Sequence, residues 1–376
     1  MFGRGIKLFT LLGFEVRLDA SWLVIAVLVT WSLASGFFPA RYPEASEGVH
    51  WLMGALGALG LFASIVLHEF GHSLAARRFG VPMRGITLFI FGGIAEMRDE
   101  PPSAKAEFWV AVAGPIVSLA LAALFWLAYG AAAAVGVHPM PTALLYYVGM
   151  INSALLLFNL IPAFPLDGGR VLRAFIWGWK NNLRRASEIT SRIGAAFGLV
   201  LIALGVVSLI GGAAIGGIWY ILLGLFLRAA AQQSYRHTVL KEALQGVSIR
   251  RFVNDRPVTV APDTPLEQLI EDYIMRYHFK MFPVVDGDGR LLGAVHMTQV
   301  KEIPAEERAE RRVGEIVTPP DETNSIDADA DAVDALSIMY RASGSRLMAL
   351  KDGGLAGILS LKDLQEFLNL KLELQS

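Results

Sequence analysis

The sequence predicts a polytopic α-helical membrane protein, six transmembrane helices with a membrane-associated β segment, followed by a soluble α/β repeat pair. Three observations lead there. Six apolar runs, at roughly 19–37, 51–75, 106–131, 143–163, 192–210 and 212–230, are each long enough to cross about 30 Å of hydrocarbon. Charge is split along the chain: residues 1–249 carry 18 Lys+Arg against 12 Asp+Glu, a net of +6, whereas residues 250–376 carry 15 against 22, a net of −7. The acidic part also contains two similar stretches, about 252–300 and 313–369, a weak internal repeat. A mean hydropathy of +0.48 with only 18% charged residues fits a chain largely embedded in lipid.

The first eighteen residues form a short mixed stretch containing Arg4, Lys7, Glu15 and Arg17, with no small-residue cleavage site after an apolar run. No cleaved leader is expected, and the first span doubles as the insertion signal. Between spans two and three, VPMRGITLFIFGGIAEMRD alternates bulky residues around Gly92 and Gly93. This pattern predicts a strand pair, which must be shielded by protein, sit at the interface or line a wet cavity. Arg4, Lys7 and Arg17 precede span one, and Arg77 and Arg78 follow span two. Lys105 precedes span three, Arg170, Arg173, Lys180, Arg184 and Arg185 lie between spans four and five, and Arg228 and Arg236 follow span six. All fall on one side, so the multi-pass chain is expected to keep both termini and the acidic domain in the cytoplasm. Gly211-Gly212 reads as a short turn between spans five and six, and Gly216 and Gly217 as points of close helix contact.

Zero cysteines exclude disulfides, thiolate metal sites and a cysteine nucleophile, so any metal must be held by His and carboxylates. The acidic tail offers no basic stripe, which argues against a direct nucleic-acid partner. In span two, IVLHEFGHSLAARRFG places His68 and His72 four residues apart, one turn along a single helix face, with Glu69 beside the first. Three such side chains in an apolar helix are costly to desolvate without a function. Catalytic zinc takes three protein ligands, and the compelling remaining carboxylate is Asp167 in NLIPAFPLDGGR, at the end of span four. There Pro162, Pro165, Gly168 and Gly169 break the helix and let Asp167 turn toward span two. Asp-Gly-Gly is also ordinary turn chemistry. A zinc ion so held polarises a peptide carbonyl while Glu69 carries the proton to the leaving amine. Asn159, two turns above Asp167, is an amide able to donate to an oxyanion or to a neighbouring helix, and Asn152 is assigned the helix-packing role.

His68-Glu69-x-x-His72 and Asn159-Leu-Ile-Pro162-Ala-Phe-Pro165-Leu-Asp167-Gly-Gly resemble, in order and on separate spans, the two signatures of the site-2 proteases, intramembrane zinc metalloproteases. The resemblance is to the prokaryotic form with a C-terminal pair of CBS domains. It implies that His68, His72 and Asp167 bind one Zn2+, that Glu69 is general base and acid, and that Asn159 positions substrate or stabilises the tetrahedral intermediate. It also implies cleavage of membrane-tethered proteins such as an anti-sigma factor or a transcription-factor precursor, with the strands around Gly85–Met97 pairing to an unwound substrate. The family's Ala-Gly-Pro element is present as Ala113-Gly114-Pro115, but Ser118 stands where an Asn often follows, so a contact behind the metal ligands is expected to differ. No insertion long enough for a PDZ domain is present.

The tail resembles a Bateman pair of CBS domains through Pro283-Val284-Val285-Asp286 and Gly293-Ala294-Val295 in one half, and Gly357-Ile358-Leu359-Ser360 with Asp363 in the other. That resemblance implies an adenine nucleotide, ATP, ADP or AMP, contacted by Ser360 and Asp363, and a homodimer formed through the pair. Gln299 replaces an acidic ribose contact in the first half and Met348-Ala349-Leu350 replaces Pro-Val-Val in the second, so binding is confined to one cleft or absent. A purely structural platform is the competing expectation. The resulting division is a membrane metalloprotease domain over 1–240, a first CBS domain with linker over 241–310 and a second over 311–376. The alternative function is a membrane transporter or channel regulated by CBS domains.

Overall fold

The computed structural model describes residues 6–97, 100–342 and 344–373; Arg4 lies outside them. The chain divides into two compact units, Met1–Thr238 and Val239–Ser376.

Among the described residues, six helices are long and apolar enough to span a membrane. Helices α1 (Ser21–Ser32) and α2 (Phe38–Arg41), joined by a π turn at Leu33–Phe37, make the first. The others are α3 (Glu47–Arg78), α4 (Ala104–Ala134), α5 (Pro139–Asn159), α7 (Leu183–Ile210) and α8 (Ala214–Leu244). The 14-residue α6 (Asp167–Lys180) lies between α5 and α7 and is not a span. Large apolar side chains such as Leu59, Leu127 and Ile210 are 65–82% exposed, as expected where lipid rather than water is the neighbour. Polar residues turn inward, and Asn152 Nδ2 donates to Ser64 Oγ on α3 at 2.9 Å, which is the helix-packing role. The expected turn at Gly211-Gly212 separates α7 from α8, and Gly217 approaches the Gly205 carbonyl so closely that a Cβ would stand 2.8 Å from it. A Cβ on Gly216 would meet nothing within 4 Å, so that position is no helix contact.

The predicted strand pair is β3 (Met83–Phe89) and β4 (Gly92–Met97), antiparallel. It belongs to a larger sheet. The N-terminal stretch forms a hairpin, β1 (Ile6–Leu11) and β2 (Phe14–Leu18), and the four strands run in the order β1-β2-β3-β4 with β2 parallel to β3. Phe14 and Val16 are buried and Glu15 and Arg17 are not, a half-buried strand alternation. Leu12 and Gly13, both with positive φ, make the two-residue turn. Phe14, Val16, Ile86 and Leu88 pack on Phe70 of α3, so the sheet lies against the helix that carries the histidines.

One expectation is corrected. Asp167 does not end the fourth span: α5 stops at Asn159, residues 160–166 form a turn, and Asp167 opens α6. Pro162 and Pro165 end the span earlier than hydropathy suggests, since proline supplies no N–H. Arg170 and Arg173 lie between spans four and five as expected, on α6, with side chains 12% and 6% exposed.

In the second unit each half is a helix followed by a hairpin and a closing helix. The first half has α9 (Leu266–Gln268), a π turn and α10 (Met275–Tyr277), then β5 (Met281–Val285), β6 (Leu291–His296) and α11 (Met297–Glu302). The second has β7 (Ser325–Asp327), α12 (Ala332–Ala342), β8 (Arg346–Lys351), β9 (Gly354–Ser360) and α13 (Leu361–Glu373). The segment leading into each half bridges to the other half's hairpin: Asn254 pairs with Ile358, and Thr318 with Ala294. Gly357 and Gly293 permit these approaches, with φ of 156° and 150° and with a would-be Cβ only 2.3 Å and 2.1 Å from the Asn254 and Thr318 carbonyl oxygens. Met281, Ala294, Met348 and Ile358 form the apolar seam between the halves.

Candidate active site

Helical periodicity alone puts His68 and His72 on one face of α3, and both are buried, at 5% and 4% exposure. What faces them is α4. Its inward stripe, Glu107, Val110, Ala111, Gly114 and Ser118, follows the i, i+3, i+4, i+7, i+11 spacing of one helix face. Each ring is held from behind. His72 Nδ1 lies 2.7 Å from the Val110 carbonyl, which can only accept, so Nδ1 carries the proton and Nε2 the lone pair. His68 Nδ1 lies 2.8 Å from Ser118 Oγ. The expected contact behind the ligands is thus a hydroxyl, that of Ser118.

Asp167 opens α6, where a carboxylate is favoured by the helix dipole. Its Oδ2 stands 3.1 Å from His68 Nε2 and 3.2 Å from His72 Nε2, and the two Nε2 atoms are 3.2 Å apart. The two Nε2 atoms and the carboxylate oxygen converge as a donor set able to hold a metal cation. The donor set also fits zinc in size: ligands on bonds of about 2.0 Å at tetrahedral angles are roughly 3.3 Å apart. Gly114 keeps the space open, since a Cβ there would stand 2.2 Å from His72 Nε2 and 2.6 Å from His68 Nε2.

These groups open onto a cavity of about 550 Å3. Glu69, Asn159, Arg170 and Arg173 line it together with the three candidate ligands. Glu69 lies against Gly93 of β4, where a Cβ would come 2.8 Å from Glu69 Cγ. Asn159 Nδ2 donates to the Leu155 carbonyl of its own helix at 3.0 Å, so the amide borders the cavity with its N–H turned back. The cavity's apolar wall includes Phe89, Phe158 and Phe226.

Sequence reasoning missed the pair that seats α6. Glu107, 1% exposed, accepts from Arg173 Nε at 2.8 Å and from Nη2 of the same guanidinium. Arg173 also lies 3.9 Å from Glu100. Glu107 sits at the start of a span, where it reads as a flanking charge; the signal was its place in the α4 stripe.

In the second unit, Ser360 and Asp363 engage each other: Ser360 Oγ donates to Asp363 Oδ2 at 2.5 Å and accepts from the Asp363 backbone N–H at 3.2 Å, the N-cap pattern of α13. Gln299 holds the corresponding third position of α11, accepting from His296 N–H at 2.8 Å and donating to the Ile316 carbonyl and Thr318 Oγ1.

Over residues 56–140 and 131–201 the chain matches Peptidase family M50, and over 249–306 and 313–370 it matches the CBS domain. It is 35% identical to Rip3 of Mycobacterium tuberculosis over 84% of this chain and 80% of that one. It is 33% identical to sll0528 of Synechocystis over 93% and 91%, and both relatives are provisionally named zinc metalloproteases. Among solved structures, a site-2 protease from Methanocaldococcus jannaschii is similar, at 28% identity and a TM-score of 0.42, covering 62% of this chain and 95% of that one.

Proposed function

The chain belongs to peptidase family M50, the site-2 proteases, and from that premise we propose which residues perform its chemistry. It is a multi-pass membrane zinc metalloprotease acting on membrane proteins, and it carries a CBS pair. His68, His72 and Asp167 would hold the zinc, whose bound form supplies Lewis-acid polarisation of the carbonyl and a water of lowered pKa. Glu69 takes the proton of the attacking water and delivers it to the amide nitrogen, so that a peptide bond and water give a carboxylate and an amine. Asn159, at the cavity edge, orients the substrate carbonyl once its N–H turns from Leu155. Glu107 and Arg173 set the position of Asp167 through α6. The sheet shields the site from water on the α3 side, and β4 offers an edge to which an unwound substrate strand can pair.

The observation that carries this reading is the convergence of the two Nε2 atoms and Asp167 Oδ2 within 3.2 Å beside Glu69. A transporter gated by CBS domains has no use for that arrangement. The test is zinc content and cleavage of a single-span substrate in detergent. The parent is expected to bind about one zinc and cut, Glu69→Gln to bind zinc without cutting, and His68→Ala/His72→Ala to do neither. Cleavage that survives Glu69→Gln would refute the assignment.

We further propose the following. The domains divide as 1–240, 241–310 and 311–376. Both termini face the prokaryotic cytoplasm, on the excess of Lys and Arg that remains there after Arg170 and Arg173 are removed from the count. Substrates are membrane-tethered regulators such as an anti-sigma factor or transcription-factor precursor. The CBS pair dimerises and takes an adenine nucleotide, with Ser360 and Asp363 exchanging their mutual hydrogen bonds for the ribose and phosphate.

A further inference from the structure

One cation in the catalytic cavity stands near an anion without hydrogen-bonding to it. Arg170 and Arg173 leave α6 three residues apart, both line the cavity, and Glu107 is buried beside both. Arg173 takes it in two hydrogen bonds to one oxygen. The Nε of Arg170 lies 3.8 Å from that oxygen, beyond hydrogen-bonding range, and its Nη2 lies 3.9 Å from Met97 Sδ, a weak acceptor. Among the described residues Arg170 makes no hydrogen bond to an oxygen through its side chain. That side chain is 12% exposed and lines the cavity. A guanidinium offers five donors, and in Arg170 none of them is given to an oxygen of a described residue. The cavity therefore contains a formed position for an oxygen anion, one helical turn beyond Asp167.

We propose that Arg170 is the anion-binding residue of the catalytic cavity and that its ligand is the oxygen of the cleaved carbonyl, as oxyanion during attack and as carboxylate in the product. The proposal rests on the hydrolase reading above. Water oxygen adds to the carbonyl carbon and the C=O π pair moves onto its oxygen. The C–N bond then breaks as nitrogen receives a proton, and the acid so formed ionises. Both negative charges reside on oxygens of the same carbon. The fixed, planar donors of arginine suit a two-oxygen anion better than a lysine ammonium does. An acidic side chain of the substrate would present the same carboxylate chemistry, and the test separates the two sources.

Full-length protein in detergent is titrated with three N-acetylated apolar hexapeptides: one ending in a free carboxylate, one in a carboxamide, and one carboxamide bearing an internal aspartate. Metal-free protein is used so that a zinc ion does not supply the preference. The parent is expected to bind the free acid at least about tenfold more tightly than its amide, Arg170→Gln to lose that preference, and Arg170→Lys to keep part of it. In zinc-loaded protein, Arg170→Gln should lower kcat by about 10²–10³-fold with a smaller change in KM and unchanged zinc content. An acid preference that persists in Arg170→Gln overturns the proposal. So does an Arg170-dependent gain for the internal aspartate without one for the terminal acid. Failure of the parent to cleave any substrate would instead refute the hydrolase reading, which the peptide titration does not measure.

Discussion

Gly114→Ala is predicted to empty the metal site while the helix that carries it stays folded. The added Cβ would stand 2.2 Å from His72 Nε2 and 2.6 Å from His68 Nε2. Comfortable carbon–nitrogen separation is about 3.5 Å, so the rings must retreat by about 1 Å. Neither ring is a loose end, because Val110 and Ser118 hold the far nitrogens at 2.7 Å and 2.8 Å. Zinc sites accept deviations of about 0.2 Å, so the displacement exceeds the tolerance several-fold. Losing an outer partner of a ligand typically costs 10–100-fold in affinity; moving both ligands should cost at least about 100-fold, or about 2.7 kcal/mol. Helix propensity, alanine being preferred to glycine by about 1 kcal/mol, offsets part of the roughly 1–3 kcal/mol that the overpacking costs, so metal-free protein should still melt cooperatively, at or slightly below the parent. The assay is zinc per chain across a series of chelator-buffered zinc concentrations, beside thermal melts in EDTA. Parent-like zinc affinity in Gly114→Ala would refute the reasoning from the cradle.

Ser118→Ala removes the group behind His68 and should weaken zinc binding about 10–100-fold without moving the metal-free melt, read by the same titration. Arg173→Met leaves Glu107 buried without its partner and should destabilise the membrane unit by about 3–5 kcal/mol, measured by denaturant unfolding in detergent. Part of that loss should return in Glu107→Leu/Arg173→Met, where neither charge of the pair remains and only Arg170 is left beside the site. His296 is held below the ordinary 6.5 by burial, against the opposing pull of Asp321, and its ring accepts the N–H of Gln299 at the start of α11. The fold thus favours neutral imidazole. Its stabilising contribution is present above pH 6.5 and is lost as the pH falls through the lowered folded value. An NMR titration of His296 with a midpoint at or above 6.5 would contradict this.

The six spans, the β3–β4 pair and the histidine helix were legible because each depends on local period or length. Asp167 was found only through its odd surroundings, since 99 residues separate it from His68 and no spacing rule joins them. The short helix it opens carries no apolar run long enough to announce it, and Arg170 and Arg173 turn inward only because Glu107 is there to receive them. The β1–β2 hairpin escaped because its alternation occupies five residues beside a basic N-terminus, and only the sheet with β3 gives it a partner. Ser118 looked like a departure from pattern, and no spacing rule told that its hydroxyl would stand behind the His68 ring. Gly114 could be read as a flexible or packing residue from sequence alone; its use is the volume it withholds.

The exchange of lead segments in the second unit bears on how such a tail can be inherited. Asn254 completes the hairpin of the later repeat and Thr318 that of the earlier one. Deleting either repeat would strip a strand neighbour from the survivor and bare a row of N–H and C=O groups, the kind of edge that recruits stray chains. Duplication of one repeat would create a lead segment with no hairpin to receive it. The heritable module is therefore the couple, gained or lost whole, and a half-length tail is expected to appear in this architecture only when a second chain lends the missing segment.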